Sequence, residues 1–107
     1  MQKKYLRMIR VLEAGTPQSG EADWSVYILR CGDGSLYTGI AKDVEARVKS
    51  HNAGRGAAYT RSHRPVRELY REEGLTRAEA LIREAKIKSL PRALKAKLAR
   101  RGLARIA

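Results

Sequence analysis

The sequence predicts an α/β chain of the α+β kind: a small three-stranded antiparallel sheet flanked by helices, in the order β-β-α-β-α-α. Three observations lead there. Trp24 to Cys31 and Leu36 to Ile40 are rich in aromatic and β-branched residues and flank the turn Gly32-Asp33-Gly34-Ser35, the pattern of a hairpin. Val66 to Arg71 alternates apolar and charged residues, as a strand with one wet face does. The later half carries helix punctuation in Thr76, Pro91 and Gly102.

The elements follow in order. Asp43 can cap a helix running to about Asn52, with Gly54 ending it. Ala53 to Pro65 holds Arg55, Arg61, Arg64, glycines and a proline, so it reads as a basic loop. Glu73-Gly74 reads as a turn after the third strand. Thr76-Arg77-Ala78-Glu79 fits a capping box, in which the threonine hydroxyl and the glutamate each serve the other's backbone N–H. That helix runs to about Leu90, with Ala78, Leu81, Ile82, Ala85 and Ser89 as its small apolar stripe. Pro91 stops it and opens a last helix through about Arg101, ended by Gly102.

Length and charge bound the partners. A chain of 107 residues with 43% hydrophobic content suits one domain with one thin core and no deep cavity. Its formal net charge of +12 points to a polyanion, most often nucleic acid. An anionic membrane is the less frequent polyanion, and a merely solubilising charge or a ribosome-associated protein with no chemistry of its own is the bland alternative. Residues 1–23 hold four bases against three acids, so +11 belongs to residues 24–107. We divide the chain accordingly. Residues 1–23 form an N-terminal extension, with the turn-rich 15–20 stretch as a linker, and residues 24–107 form the folded domain. A single cysteine, Cys31, excludes an intrachain disulfide framework and a cysteine-rich zinc site. No apolar run approaches the ~18 residues of a membrane span, and Met8 to Leu12 is too short for a leader. A cytoplasmic setting is the expectation.

Several residues could carry chemistry. Tyr27 and Tyr37 lie on the two arms of the hairpin. They share a face only if the register allows it, and tyrosine on a strand is also ordinary sheet packing. Arg47 and His51 are four apart on the next helix and share a side. An arginine there can offset charge on a phosphate, although a solvated helix face is the bland alternative. Glu84 is the sole acid from Arg83 to Arg105, among nine bases. A lone carboxylate on a phosphate-attracting surface suits a Mg²⁺ ligand. It equally suits an i,i+4 pair with Lys88, which contributes only ~0.3–0.5 kcal/mol. Together these residues ask for phosphodiester hydrolysis, with the tyrosine pKa of ~10 lowered by a nearby cation.

At this point the chain resembles a known family. Ser25-Val26-Tyr27 followed by Tyr37-Thr38-Gly39 looks like the paired motif of the GIY-YIG nucleases. Val26 to Cys31, Gly34 to Gly39, Tyr59-Thr60-Arg61 and Glu84 to Lys88 are similar to its small single-domain bacterial members. The resemblance spans about residues 24–101. It implies a metal-dependent endonuclease or exonuclease that uses Mg²⁺ or Mn²⁺ to hydrolyse DNA, in repair or processing. Tyr27 or Tyr37 would act with the attacking water, Arg47 would contact phosphate and Glu84 would hold the metal. His51 falls where relatives have histidine or tyrosine. Gly39 would let the backbone pass beside the second tyrosine. Arg55, Arg61, Arg64, Lys86 and Lys88 would contact DNA, or RNA. Ser25, Val26 and Thr38 depart from the motif letters, mild changes on strands. Relatives often borrow a second DNA-binding module, so a partner protein could supply specificity here. The alternative is a non-catalytic nucleic-acid-binding module of the same fold.

Overall fold

The computed structural model describes residues 21–106, with side chains described to Arg101. The extension and linker expected over residues 1–20 lie outside the described residues. The described chain folds as β1 (Trp24–Arg30), β2 (Leu36–Ala41), α1 (Val44–Asn52), α2 (Ala58–Arg61), β3 (Arg67–Leu75), α3 (Arg77–Lys88) and α4 (Arg92–Ile106). The sheet is antiparallel with order β2-β1-β3, so the hairpin's second arm is a free edge.

The hairpin turn forms for local reasons. Gly34 takes φ +86°, where an L side chain would be strained. The Asp33 carboxylate accepts from the Ser35 backbone N–H at 3.0 Å and from its hydroxyl at 2.6 Å. The register then pairs Tyr27 with Gly39 and Leu29 with Tyr37. Both tyrosines therefore point to one face of the sheet, the question that sequence left open.

Alternation along β1 feeds two apolar clusters instead of the single one expected. Tyr27 and Leu29 pack with Cys31, Ala41, Val44 and Val66 on one face, under α1. Val26 and Ile28 pack with Tyr70, Ile87 and Ala99 on the other. Ion pairs pin the layers. Arg71 of β3 reaches Glu45 of α1 at 2.8 Å as well as Glu68 and Glu73 of its own strand. Arg83 of α3 holds Glu72 of β3 at 2.8 Å.

Four expectations need correcting. Glu73 and Gly74 do not end β3; they lie inside it. Between Trp24/Val26 and their partners Leu75/Glu72 the ladder gains a residue on β3, and Gly74 at φ +77° makes that bulge. The 53–65 stretch is not all loop, since Ala58–Arg61 forms one short helix. The capping box on Thr76 and Glu79 is present, but the stripe of α3 is turned from the one expected. Ala80, Ile82 and Ile87 are buried, whereas Ala78 and Ser89 are exposed. The last helix does not stop at Gly102; it continues to Ile106, a helical glycine being tolerated at about 1 kcal/mol.

Candidate active site

The Asp43 side chain caps α1 by accepting from the Ala46 N–H at 3.0 Å. This fixes the helix across the hairpin and brings His51 down onto the tyrosine face. His51 is fully buried, so the solvated-face reading fails for it. Its Nε2 lies 3.1 Å from the Tyr27 hydroxyl and its Nδ1 lies 2.7 Å from the Thr60 hydroxyl. Thr60, also fully buried, donates its one hydroxyl proton to the Ala57 carbonyl at 2.9 Å. Its oxygen therefore accepts from Nδ1–H, because two acceptors facing each other would leave a buried contact without a proton. That places the imidazole lone pair on Nε2, where it accepts from the Tyr27 O–H. The result is an ordered chain: Tyr27 to His51 to Thr60 to the carbonyl of Ala57, just before α2.

Glycines make the room. A Cβ on Gly39 would come 2.6 Å from the Tyr27 hydroxyl, so the phenol lies across the β2 backbone toward the free edge. The same Cβ would come 3.2 Å from Tyr37 Cε2, so Gly39 makes room beside the second tyrosine as expected and still more for the first. A Cβ on Gly56 would come 2.1 Å from His51 Nδ1.

Electrostatics separates the two rings of the relay. Burial above all, then the neighbouring Tyr37, pushes Tyr27 up to about 12; Arg47 beside the phenol pulls the other way and Glu84 adds a smaller upward push. Burial, with the Arg47 cation second, pushes His51 below the ordinary imidazole range. Both groups are neutral in the resting site at neutral pH, and Tyr37, Arg47 and Glu84 all lie close enough to act on the Tyr27 phenol.

Aromatic contacts run outward from this core. Tyr37 meets His51 edge-on at 5.4 Å, Tyr59 lies parallel to Tyr37 at 6.4 Å, and His63 stacks on Tyr59 at 4.1 Å. Tyr59 is 42% exposed, so the row opens to solvent.

The remaining predicted residues are placed less uniformly. Glu84 lies at the rim, pairing with Lys88 at 3.3 Å, and Lys86 is exposed on the same helix. Arg55 and Arg61 are exposed. Arg64 is partly committed elsewhere, donating to the Asn52 carbonyl at the end of α1 and to the Arg61 carbonyl. With Asn52 and Pro65, Arg61 and Arg64 line an open cleft of about 430 Å³. Among the described residues no three His, Cys, Asp or Glu side chains cluster as a metal site. The donor set fits a hard cation that keeps most of its waters and takes one carboxylate plus substrate phosphate, and does not fit a transition metal held by several protein ligands. Thr60 and Gly56 were not singled out as site residues by their roles. The Gly54-Arg55-Gly56 and Tyr59-Thr60-Arg61 clusters were the available signals, but only the fold shows that both grip His51.

A small antiparallel sheet with a buried tyrosine–histidine contact under a strongly basic surface defines a compact α+β domain. Residues 23–98 match the GIY-YIG catalytic domain, and this chain belongs to that family. It is 54% identical over 77 residues to a UPF0213 protein of Staphylococcus epidermidis, covering 72% of this chain and 94% of that one. It is 56% identical over 73 residues to a UPF0213 protein of Staphylococcus aureus, covering 68% and 89%. Among solved structures, a UPF0213 protein from Bacillus halodurans matches with 43% identity and a TM-score of 0.46, over 70% of this chain and 80% of that one. No described helix is long and apolar enough to cross a membrane.

Proposed function

We propose that this protein is a metal-dependent nuclease that hydrolyses DNA phosphodiester bonds, with Tyr27, His51, Arg47 and Glu84 as its working residues. The observation that carries the proposal is the 3.1 Å contact between the Tyr27 hydroxyl and His51 Nε2, with Arg47 and Glu84 both acting on the same phenol. At a pKa of about 12, Tyr27 alone is protonated and cannot serve as a free base. Coupled to His51 it can. As water attacks phosphorus, the phenol oxygen takes the water proton and its own proton passes to Nε2. His51 becomes the imidazolium, held through Nδ1–H by Thr60. The relay thus needs no free tyrosinate at neutral pH.

Arg47 meets the negative charge that builds on the phosphoryl oxygens. Glu84 is the carboxylate that would hold Mg²⁺ or Mn²⁺, whose contribution when bound is to polarise the phosphate. Tyr37 packs on the His51 edge and begins the aromatic row toward solvent. Repair or another DNA-processing step, a cytoplasmic setting and a specificity-giving protein partner belong to the same proposal. So does the division into an extension over residues 1–23 and a domain over 24–107.

One observation favours a second reading, a non-catalytic nucleic-acid-binding module: Glu84 already has a cation partner in Lys88. Cleavage of plasmid, single-stranded and branched DNA and of RNA with Mg²⁺ or Mn²⁺ separates the two. The nuclease reading expects Arg47→Ala to lower turnover by about 10²–10³ and Tyr27→Phe by about 10²–10⁴. Glu84→Ala abolishes the metal response. Cutting that is unchanged in Glu84→Ala marks a contaminant and removes the assignment. No cutting of any substrate, with Glu84→Ala binding DNA more tightly than the parent, establishes the binding module. A greater loss in Tyr37→Phe than in Tyr27→Phe moves the water to the more exposed ring.

A further inference from the structure

The face of the sheet opposite the tyrosines carries an arginine cluster that the relay does not use. Arg30 of β1 and Arg67 of β3 are direct cross-strand partners. Like charges placed directly opposite destabilise a sheet. Arg92 and Arg100 of α4 face the same recess, a cavity of about 310 Å³ with Leu36 and Leu69 among its apolar lining. That volume is at the small end of ligand pockets, ~300–1,000 Å³. Arg92 is held in place by donating to the Gly34 carbonyl at 2.9 Å. Among the described residues none of these four guanidiniums has a carboxylate partner, whereas Arg71 of β3 and Arg83 of α3 are engaged with glutamates. The nearest turn carboxylate, Asp33, is taken by Ser35 and His63.

We infer that this recess is a second nucleic-acid contact, in which Arg30, Arg67, Arg92 and Arg100 hold backbone phosphates of a single strand that also engages the tyrosine face. The inference rests on the nucleic-acid reading above. Guanidiniums match phosphate oxygens in forked pairs, and the apolar lining suits a sugar or base. A duplex is too wide for the recess, and a membrane would need an exposed plane instead of a concavity. Continuity between the faces comes from β2. Leu36 lines the recess and the adjacent Tyr37 points to the relay face, so a strand turning round this free edge passes from one to the other. The repulsion between Arg30 and Arg67 is relieved when a phosphate lies between them.

The test is metal-free binding of a fluorescent single-stranded DNA oligonucleotide, measured by anisotropy across a salt series, for the wild type and the Arg30→Gln/Arg67→Gln variant. The variant should bind at least about tenfold more weakly at low salt. Its log–log salt slope should be shallower by about 1.4, from ~0.7 per phosphate contact on a single strand. The free variant should melt about 1–5 °C higher because the like-charge pair is gone; this also excludes misfolding as the cause of weak binding. Unchanged affinity and slope overturn the inference, as does failure of the wild type to bind. Loss of binding only to anionic phospholipid vesicles, with DNA binding intact, overturns it in favour of a membrane contact. Binding is read without turnover, so a protein that binds this way but never cuts removes the nuclease reading and leaves the second contact standing.

Discussion

Replacing Thr60 with valine removes one oxygen and almost no volume, and it cuts the relay at its far end. The hydroxyl is fully buried and holds two contacts, 2.7 Å to His51 Nδ1 and 2.9 Å to the Ala57 carbonyl. Losing both leaves one orphaned carbonyl and one imidazole nitrogen without its partner. A buried group left unmade costs about 1–3 kcal/mol, and the imidazole can escape part of this by moving its proton to Nε2. We expect a net loss of about 2 kcal/mol, and a melting point lower by roughly 8–16 °C for a domain of this size. The chemical consequence is larger. With the proton on Nε2, His51 can no longer accept from Tyr27, and turnover falls by about 10²–10⁴, the share of a general base. Nitrogen-15 shifts of the imidazole report the tautomer directly. The parent should carry its proton on Nδ1, Thr60→Val on Nε2, and Thr60→Ser on Nδ1 with most activity kept. A parent protonated on Nε2, or nitrogen shifts unmoved by Thr60→Val, refutes the reasoning.

Other expectations come from the same geometry. Gly56→Ala puts a methyl 2.1 Å from His51 Nδ1, so thermal unfolding should show a loss of several kcal/mol, and cleavage should fall even well below the new melting point. His51 has its pKa lowered by burial and then by Arg47, so the unfolded chain binds this proton more readily than the folded one. Its stabilising share is complete above the unfolded value of ~6.5 and is lost as pH falls through the depressed folded value. Urea midpoints across that window should decline, and His51→Gln should flatten the decline. Tyr27, raised to about 12, has the opposite sign. Its share is complete below the unfolded value of ~10 and is lost as pH climbs through the folded value. In an ultraviolet titration Tyr27 should ionise late, beside Tyr70, whose phenol burial and Glu72 also push up, and Tyr27→Phe should delete the Tyr27 component and leave that of Tyr70.

How much of this was legible in the sequence depended on whether the signal was local. The hairpin, the Asp43 cap and the Thr76–Glu79 box each rest on residues a few positions apart, and each formed as read. Features that depend on another element were missed. Gly74 looks like a turn residue until β1 pairs beyond it and makes it a bulge. The stripe of α3 could be rotated because small alanines stand on both sides of the helix, Ala78 and Ala85 on one and Ala80 on the other, and only packing against the sheet decides which are covered. In the site, the five residues Tyr27, Tyr37, Arg47, His51 and Glu84 were named, and four of them act on one phenol or contact it. What spacing could not give was the direction of the relay, because Thr60 and Gly56 come to His51 through a loop closure held by Asn52, which bonds Val66 on both its N–H and its carbonyl.

The two faces of the hairpin are joined by covalent adjacency and separated by the sheet, and this gives a last test. Leu36 and Tyr37 are neighbours in sequence yet belong to opposite faces. If one strand of nucleic acid occupies both, the two sites share a ligand but no side-chain contact. Substitutions on opposite faces with no shared partners should then combine additively in free energy, within about 0.5 kcal/mol. Thr60→Val should lower turnover at saturating DNA and leave its binding nearly unchanged. Arg30→Gln/Arg67→Gln should weaken binding and spare saturated turnover. The combined variant should show the product of both effects. A strong departure from that product would mean that the relay geometry itself depends on the arginine face. The β1–β2 hairpin would then be a mechanical link between the sites instead of a rigid partition.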